Sequence, residues 1–354
     1  MNCVAMEGKC LRDLVQLAKP LCIAAQLEHV RNGPGRPPVY EHWVVALLIM
    51  IVVLMKKKSK SAQFRFINLH RKELAELIGV KRLPSRSTYF ERYKQAHRFF
   101  EIAIRLQGQA ALKQKITDAT VVSVDKSMIA SQGPRWHRCH RKANVLPKGF
   151  RGIDRDSDWG RCSHDGWVQG YSYEIVVTAT KNALVFPLLA SAHTAAARET
   201  LCFKNKIPHL PRQTRDVLSD SAYDSNDCGE GVELNNRGQR TGRHFLCMPN
   251  PRNPSKGEPQ DKRRRIHWHL RQRRIRHFKT QRAQRLYKRR CQTVEPANEW
   301  FKEIFELTER VWHKGLANNQ TQLLAALFSY QLLIRYNHRL GNKNGQVKWI
   351  MDAL

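Results

Sequence analysis

The sequence predicts a mixed α/β protein in which helices cover the faces of a sheet and an all-helical region precedes that sheet. This prediction rests on two changes in the hydrophobic period. Up to about residue 115, apolar residues recur at helical spacing, and from about residue 116 they alternate or form short continuous runs that are typical of strands. From about residue 266 to the end, the pattern again indicates long helices.

The N-terminal region contains one long apolar run, from Trp43 to Met55. The run has thirteen residues, whereas a helix that spans a bilayer needs about twenty. We therefore predict a buried helix of an N-terminal bundle rather than a membrane segment, with the lysines that follow it at a solvated helix end.

A helix-turn-helix layout follows. A short helix that ends at Gly79, a turn with Pro84 and a second helix that starts near Ser85 match the motif whose second helix can enter a DNA major groove. Four side chains are predicted on or near the exposed face of the second helix, namely Arg86, Tyr89, Arg92 and Lys94. Arg86 and Arg92 are the candidate DNA-binding residues, and plain helix packing is the alternative.

The central region is predicted to supply the sheet. The predicted strands are 119–125, 172–180, 183–191, 215–220 and 243–249. The second and third of these form a pair around a short turn at Lys181 and Asn182. Helices are predicted at 194–207 and 222–235, which gives a mixed sheet with helices on its faces.

The charge balance predicts a polyanionic binding partner. The chain has 62 Lys and Arg against 30 Asp and Glu, a net charge of +32, and nucleic acid is the most frequent partner of so basic a protein. A membrane surface is the competing partner. The segment 252–290 alone carries sixteen basic and two acidic residues, and aromatic residues interleave with its arginines. This composition suits contact with phosphates and stacking on bases, whereas a solvated linker is the alternative.

The cysteines and the start of the chain predict a compartment. Nine cysteines, an odd number without a CxxC pair, favour reduced thiols in a cytosolic setting. The first residues are too polar for a signal peptide.

Three carboxylates are the candidate catalytic residues. Asp125 ends the first predicted strand, Asp220 ends the strand 215–220, and Glu295 lies near the start of a helix. A buried carboxylate needs a cation, a donor or an exposed position. Three carboxylates in one cleft would repel each other unless a divalent cation neutralised them, and hard oxygen ligands select Mg²⁺ or Mn²⁺. Two such ions about 4 Å apart can promote an in-line phosphoryl displacement.

Motifs around these carboxylates resemble the DDE transposases of bacterial insertion sequences, most closely the insertion-sequence-four type and its relatives. The Tyr-Arg-Glu-Lys signature of that group is matched by Tyr287, Arg290, Glu295 and Lys302. The D-x-x-Y-D pattern is matched by Asp220, Tyr223 and Asp224, and the Trp- and Gly-rich entry to the second strand by Trp159, Trp167, Gly170 and Tyr171. The resemblance runs from about residue 35 to 340.

Two departures from the family pattern stand in this sequence. Four residues separate Arg290 from Glu295, where the family most often has three, although a spacing of four occurs in related subgroups. Ser172, Tyr173 and Glu174 stand where many members carry a Lys-x-His-like pair.

The resemblance implies a ribonuclease-H-like catalytic domain at 116–340 that includes the basic segment 252–290. A helical DNA-binding region at 1–115 would precede it, and a tail at 341–354 would follow. It implies metal-dependent cleavage of DNA at element ends and strand transfer into target DNA. Asp125, Asp220 and Glu295 would hold Mg²⁺ or Mn²⁺. Tyr287, Arg290 and Lys302 would hold phosphates near the scissile bond.

The implied partners are double-stranded DNA, both the terminal inverted repeats and the target, and a second copy of the chain in the DNA complex. The implied location is the bacterial cytoplasm at the nucleoid. Two alternatives stay open, which are a catalytically inactive DNA-binding protein derived from a transposase and a structure-selective DNA nuclease.

Other metal sites fit less well. Five potential zinc ligands cluster at His137, Cys139, His140, Cys162 and His164. Their spacing matches no paired zinc pattern, so we predict a basic DNA-facing loop. A second cluster, Asp154, Asp156 and Asp158, lacks the downstream glutamate of a calcium loop. Asp118 is predicted to be a turn residue.

Overall fold

Helices build the N-terminal region in the computed structural model, which describes residues 3–29, 40–148, 151–162, 165–251 and 257–354. They are α1 (Cys3–Glu28), α2 (His42–Leu54), α3 (Lys60–Leu69), α4 (Arg71–Ile78), α5 (Arg86–Gln95) and α6 (His97–Lys113). Within α2, every side chain from Val44 to Leu54 is buried, which confirms the predicted buried helix. In the described ranges, no helix is both long and apolar enough to cross a membrane.

Helices α4 and α5 have the predicted layout. Gly79 ends α4 with a left-handed backbone (φ 79°), and the Ser85 hydroxyl caps α5 by accepting a hydrogen bond from the Thr88 amide. Tyr89 is not on the exposed face, and that prediction is wrong. Tyr89 is fully buried and donates a hydrogen bond to Gln63 at 3.0 Å. It shares the core-facing side of α5 with Tyr93, four residues later.

One mixed sheet forms the centre of the molecule. The strands of the sheet are β1 (Val121–Ala130), β2 (Asp158–Cys162), β3 (Gly166–Thr178), β4 (Pro187–Thr194), β5 (Asp216–Ser219) and β6 (His244–Cys247). The helices between them are α7 (Arg138–Lys142), α8 (Glu199–Lys204) and α9 (Asn226–Glu233). The strand order is β2-β3-β1-β5-β6, and β4 also pairs with β3. Strand β3 is antiparallel to β1, β2 and β4, whereas β1, β5 and β6 are parallel to one another. The mixed α/β class is confirmed.

Several predicted boundaries differ from those in the structure. Strand β1 does not end at Asp125 but continues to Ala130, because β3 pairs with it over that whole length. The continuously buried part of the strand ends at Val124, directly before Asp125. Strand β2 was not predicted, since it is short and partly polar. The predicted helix 194–207 is reduced to α8, and the predicted helix 222–235 is a 3-10 turn (Ser221–Tyr223) followed by α9.

The C-terminal part is helical. It contains α10 (Lys262–Phe278), α11 (Gln281–Tyr287), α12 (Arg289–Ile304), α13 (Leu316–Arg339) and α14 (Lys348–Asp352). Helix α13 is buried on nearly all sides and packs against α1, α2, α5, α6 and β4. It thereby joins the N-terminal helices to the sheet in one hydrophobic cluster.

The two faces of the sheet carry different helices. Neighbouring residues of a strand point to opposite faces. Asp125 contacts residues of α12, whereas Lys126 forms an ion pair with Glu199 of α8 at 2.9 Å. Helix α12 therefore covers the Asp125 face, and α8 covers the other.

The acidic loop before β2 caps a helix. Asp154 accepts a hydrogen bond from the Gly315 amide at 3.1 Å, and Asp156 accepts one from the Leu316 amide at 3.0 Å. Carboxylates at a helix N-terminus accept hydrogen bonds from the free amides there and interact favourably with the positive end of the helix dipole. These two aspartates thus hold the start of α13. Asp118 accepts from the Thr120 amide directly before β1, as predicted for a turn residue.

Candidate active site

Asp125 lies where β1 changes from buried to partly exposed. Residues Val121–Val124 are buried, and the next four are only partly so. The Asp125 side chain keeps 16% of its surface exposed, on the face that α12 covers. The strand therefore fixes a carboxylate at the border between core and solvent.

Asp220 stands beside it because of the parallel pairing of β1 with β5. Ser123 pairs with Leu218, so two further residues along each strand bring Asp125 and Asp220 to the same level of the sheet. Asp220 directly follows β5 and caps the 3-10 turn, accepting a hydrogen bond from the Ala222 amide at 2.9 Å. The prediction that the two strands lie side by side is confirmed.

The guanidinium of Arg290 lies between three carboxylates. Its Nη2 atom is 2.8 Å from Asp125 Oδ1 and 3.9 Å from Asp220 Oδ2, and its Nη1 atom is 2.9 Å from Glu295 Oε1. Arg290 is itself buried. Two strands and one helix thus bring the three predicted carboxylates to a single cation.

Glu295 reaches this cluster from α12. Its side chain is 47% exposed, so it forms the open side of the site. Pro296 follows it inside the helix and lacks the amide hydrogen that would bond the preceding turn. One turn further, the Asn298 side-chain amide donates to Asp125 Oδ2 at 2.9 Å. Both oxygens of Asp125 are therefore held from α12.

Burial and like charges dominate the electrostatics of this cluster. Burial raises the pKa of Asp125 to about 7, with Arg290 opposing this shift and Asp220 and Glu295 adding to it. Burial also raises the pKa of Asp220. Burial alone would lower the pKa of Arg290, but the neighbouring carboxylates outweigh burial and raise it. The cluster holds more negative charge than one arginine balances.

The donor chemistry of this site suits a hard divalent cation, because carboxylate oxygens are the ligands that Mg²⁺ and Mn²⁺ prefer. Asn298 Oδ1 is buried and has no hydrogen-bond partner in the described part of the chain, which leaves an acceptor oxygen beside Asp125. Among the residues that the structure describes, no three His, Cys, Asp or Glu side chains are arranged as a metal-binding group. Arg290 lies where a cation would neutralise the carboxylates.

Two further predicted residues lie on the same helical segment. Lys302 is two turns beyond Glu295 and donates to the Met128 carbonyl of β1 at 3.1 Å, and burial lowers its pKa. Tyr287 packs edge-on against Phe278, with ring centroids 4.9 Å apart, and burial raises its pKa to about 12. Lys302 thus borders the β1 edge near the carboxylates, whereas the Tyr287 ring belongs to a small apolar cluster.

The predicted DNA-binding residues of α5 belong to another part of the molecule. Arg86 is exposed and Arg92 is half-buried. Helix α5 packs against α2, α3, α6 and α13 rather than being part of the carboxylate cluster. The structure therefore does not bring Arg86 and Arg92 together with the three carboxylates.

A buried network behind Asp220 was not predicted. Glu174 of β3 has no exposed surface, forms an ion pair with Lys206 at 2.7 Å and accepts a hydrogen bond from the Tyr223 hydroxyl at 2.9 Å. Tyr223 belongs to the 3-10 turn that Asp220 caps. The network therefore anchors that turn from the opposite face of the sheet. The glutamate inside the predicted strand 172–180 was the available signal.

Asn298 was also missed, because no motif marks it. Its only signal was helical spacing, since it lies three residues after Glu295 on the same helix.

Comparisons with known proteins do not assign this chain to a family. No family model matches this sequence, and the curated proteins contain no significant match. Among solved structures, the chain is similar to the piggyBac transposase in a cryo-EM structure of its synaptic complex with hairpin DNA. The TM-score is 0.39 and the sequence identity 8%, over 97% of this chain and 78% of that chain. A TM-score this low does not establish a shared fold.

Proposed function

We propose that this protein is a DDE transposase that cleaves DNA at the ends of a mobile element and transfers the freed strand into target DNA. One observation carries the proposal. Asp125, Asp220 and Glu295 come from distant parts of the chain, and all three contact or approach the same guanidinium. Three carboxylates that share one guanidinium keep an excess of negative charge, which favours a further cation at the site.

The sheet supports the same proposal. An antiparallel β4-β3-β1 half continues into a parallel β1-β5-β6 half, which is compatible with a ribonuclease-H-like core at 116–340. A net charge of +32 suits a double-stranded DNA partner. In this proposal the helices of residues 1–115 bind DNA through Arg86 and Arg92, and two copies of the chain join two DNA ends.

The residues of the site divide into two roles. Asp125, Asp220 and Glu295 would hold Mg²⁺ or Mn²⁺, which supplies charge stabilisation at the attacked phosphate and activation of the attacking oxygen. Asn298 keeps Asp125 oriented. With a divalent ion on the carboxylates, the planar fork of Arg290 would suit a phosphate of the bound strand. Lys302 and Tyr287 would contact phosphates on either side.

The reaction consists of two phosphoryl transfers. A water oxygen bonds to the scissile phosphorus while the bond from phosphorus to the 3′-oxygen breaks, which leaves a 3′-hydroxyl end. That hydroxyl then attacks a phosphorus of the target strand, and the target's own 3′-oxygen leaves. The chain binds and orients both DNA segments, and it forms no covalent bond to DNA.

A second candidate is a DNA-binding protein without chemistry, derived from a transposase. The buried position of Arg290 favours it, because the guanidinium already neutralises part of the carboxylate charge. This candidate predicts salt-dependent DNA binding without cleavage.

A cleavage assay tests the proposal. Wild type and Asp125→Asn are each mixed with linear DNA that carries the native flanks of the gene, with and without Mg²⁺. We expect discrete nicks at the flanks by the wild type with Mg²⁺ and none by the variant. Asp118→Asn is the matched control, since it changes an aspartate of a turn outside the site and should cleave as the wild type does. DNA binding without cleavage by the wild type would favour the second candidate.

A further inference from the structure

A basic pocket lies at the start of β1, four positions before Asp125. A pocket of about 490 Å³ opens there, between the first residue of β1, the turn after β3 and the helical segment α11–α12. Its charged lining residues are Lys181, Asp216, Arg282, Arg285 and Arg289. The pocket therefore presents four cationic side chains and one carboxylate.

The three arginines share one side of the helical segment. They are spaced by three and four residues, which places them on one helix face. Lys288, between α11 and α12, keeps a helical backbone (φ −57°, ψ −23°), so the face continues from one helix to the next. From Arg282 to Arg289 the helix rises about 10 Å, a distance over which one DNA strand presents about three phosphates.

Some arginines of the basic segment are already paired within the chain. Arg271 is paired with Asp224, Arg273 with Glu233 and Arg290 with Asp125. By contrast, none of the four cations at the pocket forms an ion pair within the part of the chain that the structure describes, and Lys181, Arg282 and Arg285 are exposed. Their charge is available to a ligand.

The pocket also continues the candidate active site. Val121 lines the pocket and lies on the same side of β1 as Asp125, because the two residues are four positions apart. The distance along the strand is about 13 Å. Arg289 faces the pocket, and its neighbour Arg290 contacts the carboxylates. A duplex cut at the carboxylates would therefore pass over the pocket within about four base pairs.

We propose that Arg282, Arg285, Arg289 and Lys181 form a phosphate-binding site for the duplex that flanks the cleavage point. The ligand is the sugar-phosphate backbone of double-stranded DNA. The inference rests on the proposed function, because it assumes that DNA is cut at the carboxylates. It places the DNA duplex beside the cleavage point on the protein surface at the start of β1.

The salt dependence of DNA binding tests this site. Binding of a flank duplex is measured by fluorescence anisotropy over a series of KCl concentrations for the wild type and for Arg282→Gln/Arg285→Gln. Each lost phosphate contact lowers the slope of log K against log salt by about 0.9. We expect the double variant to lose a slope of about 1.8 and to bind at least tenfold more weakly at low salt.

Two controls separate a site from a general effect of charge. Arg237→Gln/Arg240→Gln removes the same charge from exposed arginines between α9 and β6 and should leave the slope unchanged. Arg282→Lys/Arg285→Lys keeps the charge and should keep the slope. Equal losses of slope in both glutamine pairs, or an unchanged slope in the first pair, would overturn the inference. A wild type without salt-dependent DNA binding would instead overturn the proposed function itself.

Discussion

The side-chain amide of Asn298 donates a hydrogen bond to Oδ2 of Asp125 at 2.9 Å, while Arg290 holds the other oxygen of the same carboxylate at 2.8 Å. The orientation of Asp125 therefore depends on two residues of α12. Groups that orient a ligating carboxylate are typically worth 10- to 100-fold in activity or metal affinity.

Asn298→Ala should therefore lower the rate of Mg²⁺-dependent DNA cleavage by about 10-fold or more, with DNA affinity unchanged. Asn298→Asp should also slow cleavage and move its optimum to higher pH, because a second carboxylate further raises the pKa of Asp125. The control is Gln292→Ala, an exposed amide on the same helix. Equal rates for Asn298→Ala and the wild type would contradict the positioning role.

The buried pair of Glu174 and Lys206 gives a prediction for stability. Lys206→Met leaves Glu174 buried without its cation and should lower the free energy of unfolding by about 3–5 kcal/mol, measured by urea titration. Glu174→Gln/Lys206→Met removes both charges and should recover most of this loss. A double variant no more stable than Lys206→Met would show that the pair does not act as a unit.

His313 gives a prediction for pH. Its ring contacts the Tyr93 hydroxyl at 3.0 Å, and burial, together with the charge of Lys60, lowers the pKa of His313 to about 3. The unfolded chain takes up this proton near pH 6.5 and the folded chain does not, so stability is full above that pH and falls as the pH drops towards 3. Between pH 7 and pH 5 the loss should be about 1–2 kcal/mol.

Urea unfolding at several pH values checks the His313 prediction. His313→Gln keeps a polar group beside Tyr93 but cannot be protonated, so its stability should fall less over the same interval. If the wild type and His313→Gln lost stability in parallel, another group would be responsible.

The elements with strong periodicity were predictable from the sequence. The apolar run of α2, the turn at Gly79 between α4 and α5, and the buried start of β1 each follow from local pattern and cap residues. The full length of β1 did not follow, because its second half is held by pairing with β3 rather than by its own apolar residues. The burial of Tyr89 did not follow from the sequence either, because only tertiary packing decides which face of a polar helix is buried.

The candidate site was predictable in its members but not in its contacts. Motif spacing singled out Asp125, Asp220 and Glu295. The position of Arg290 between them, and the hydrogen bond from Asn298, depend on how α12 lies across the sheet. Tyr287 shows the same limit, because its ring packs on Phe278, a contact that no motif specifies.

Binding of Mn²⁺ tests the central claim, that these carboxylates form a divalent metal site, most directly. The protein is titrated with Mn²⁺ at pH 8, and free Mn²⁺ is measured by electron paramagnetic resonance, for the wild type, Asp125→Asn, Asp220→Asn and the control Asp118→Asn. We predict saturable binding by the wild type and Asp118→Asn, and at least tenfold weaker binding by Asp125→Asn and Asp220→Asn. Equal Mn²⁺ affinity in Asp125→Asn and the wild type, or no binding by the wild type, would contradict the claim.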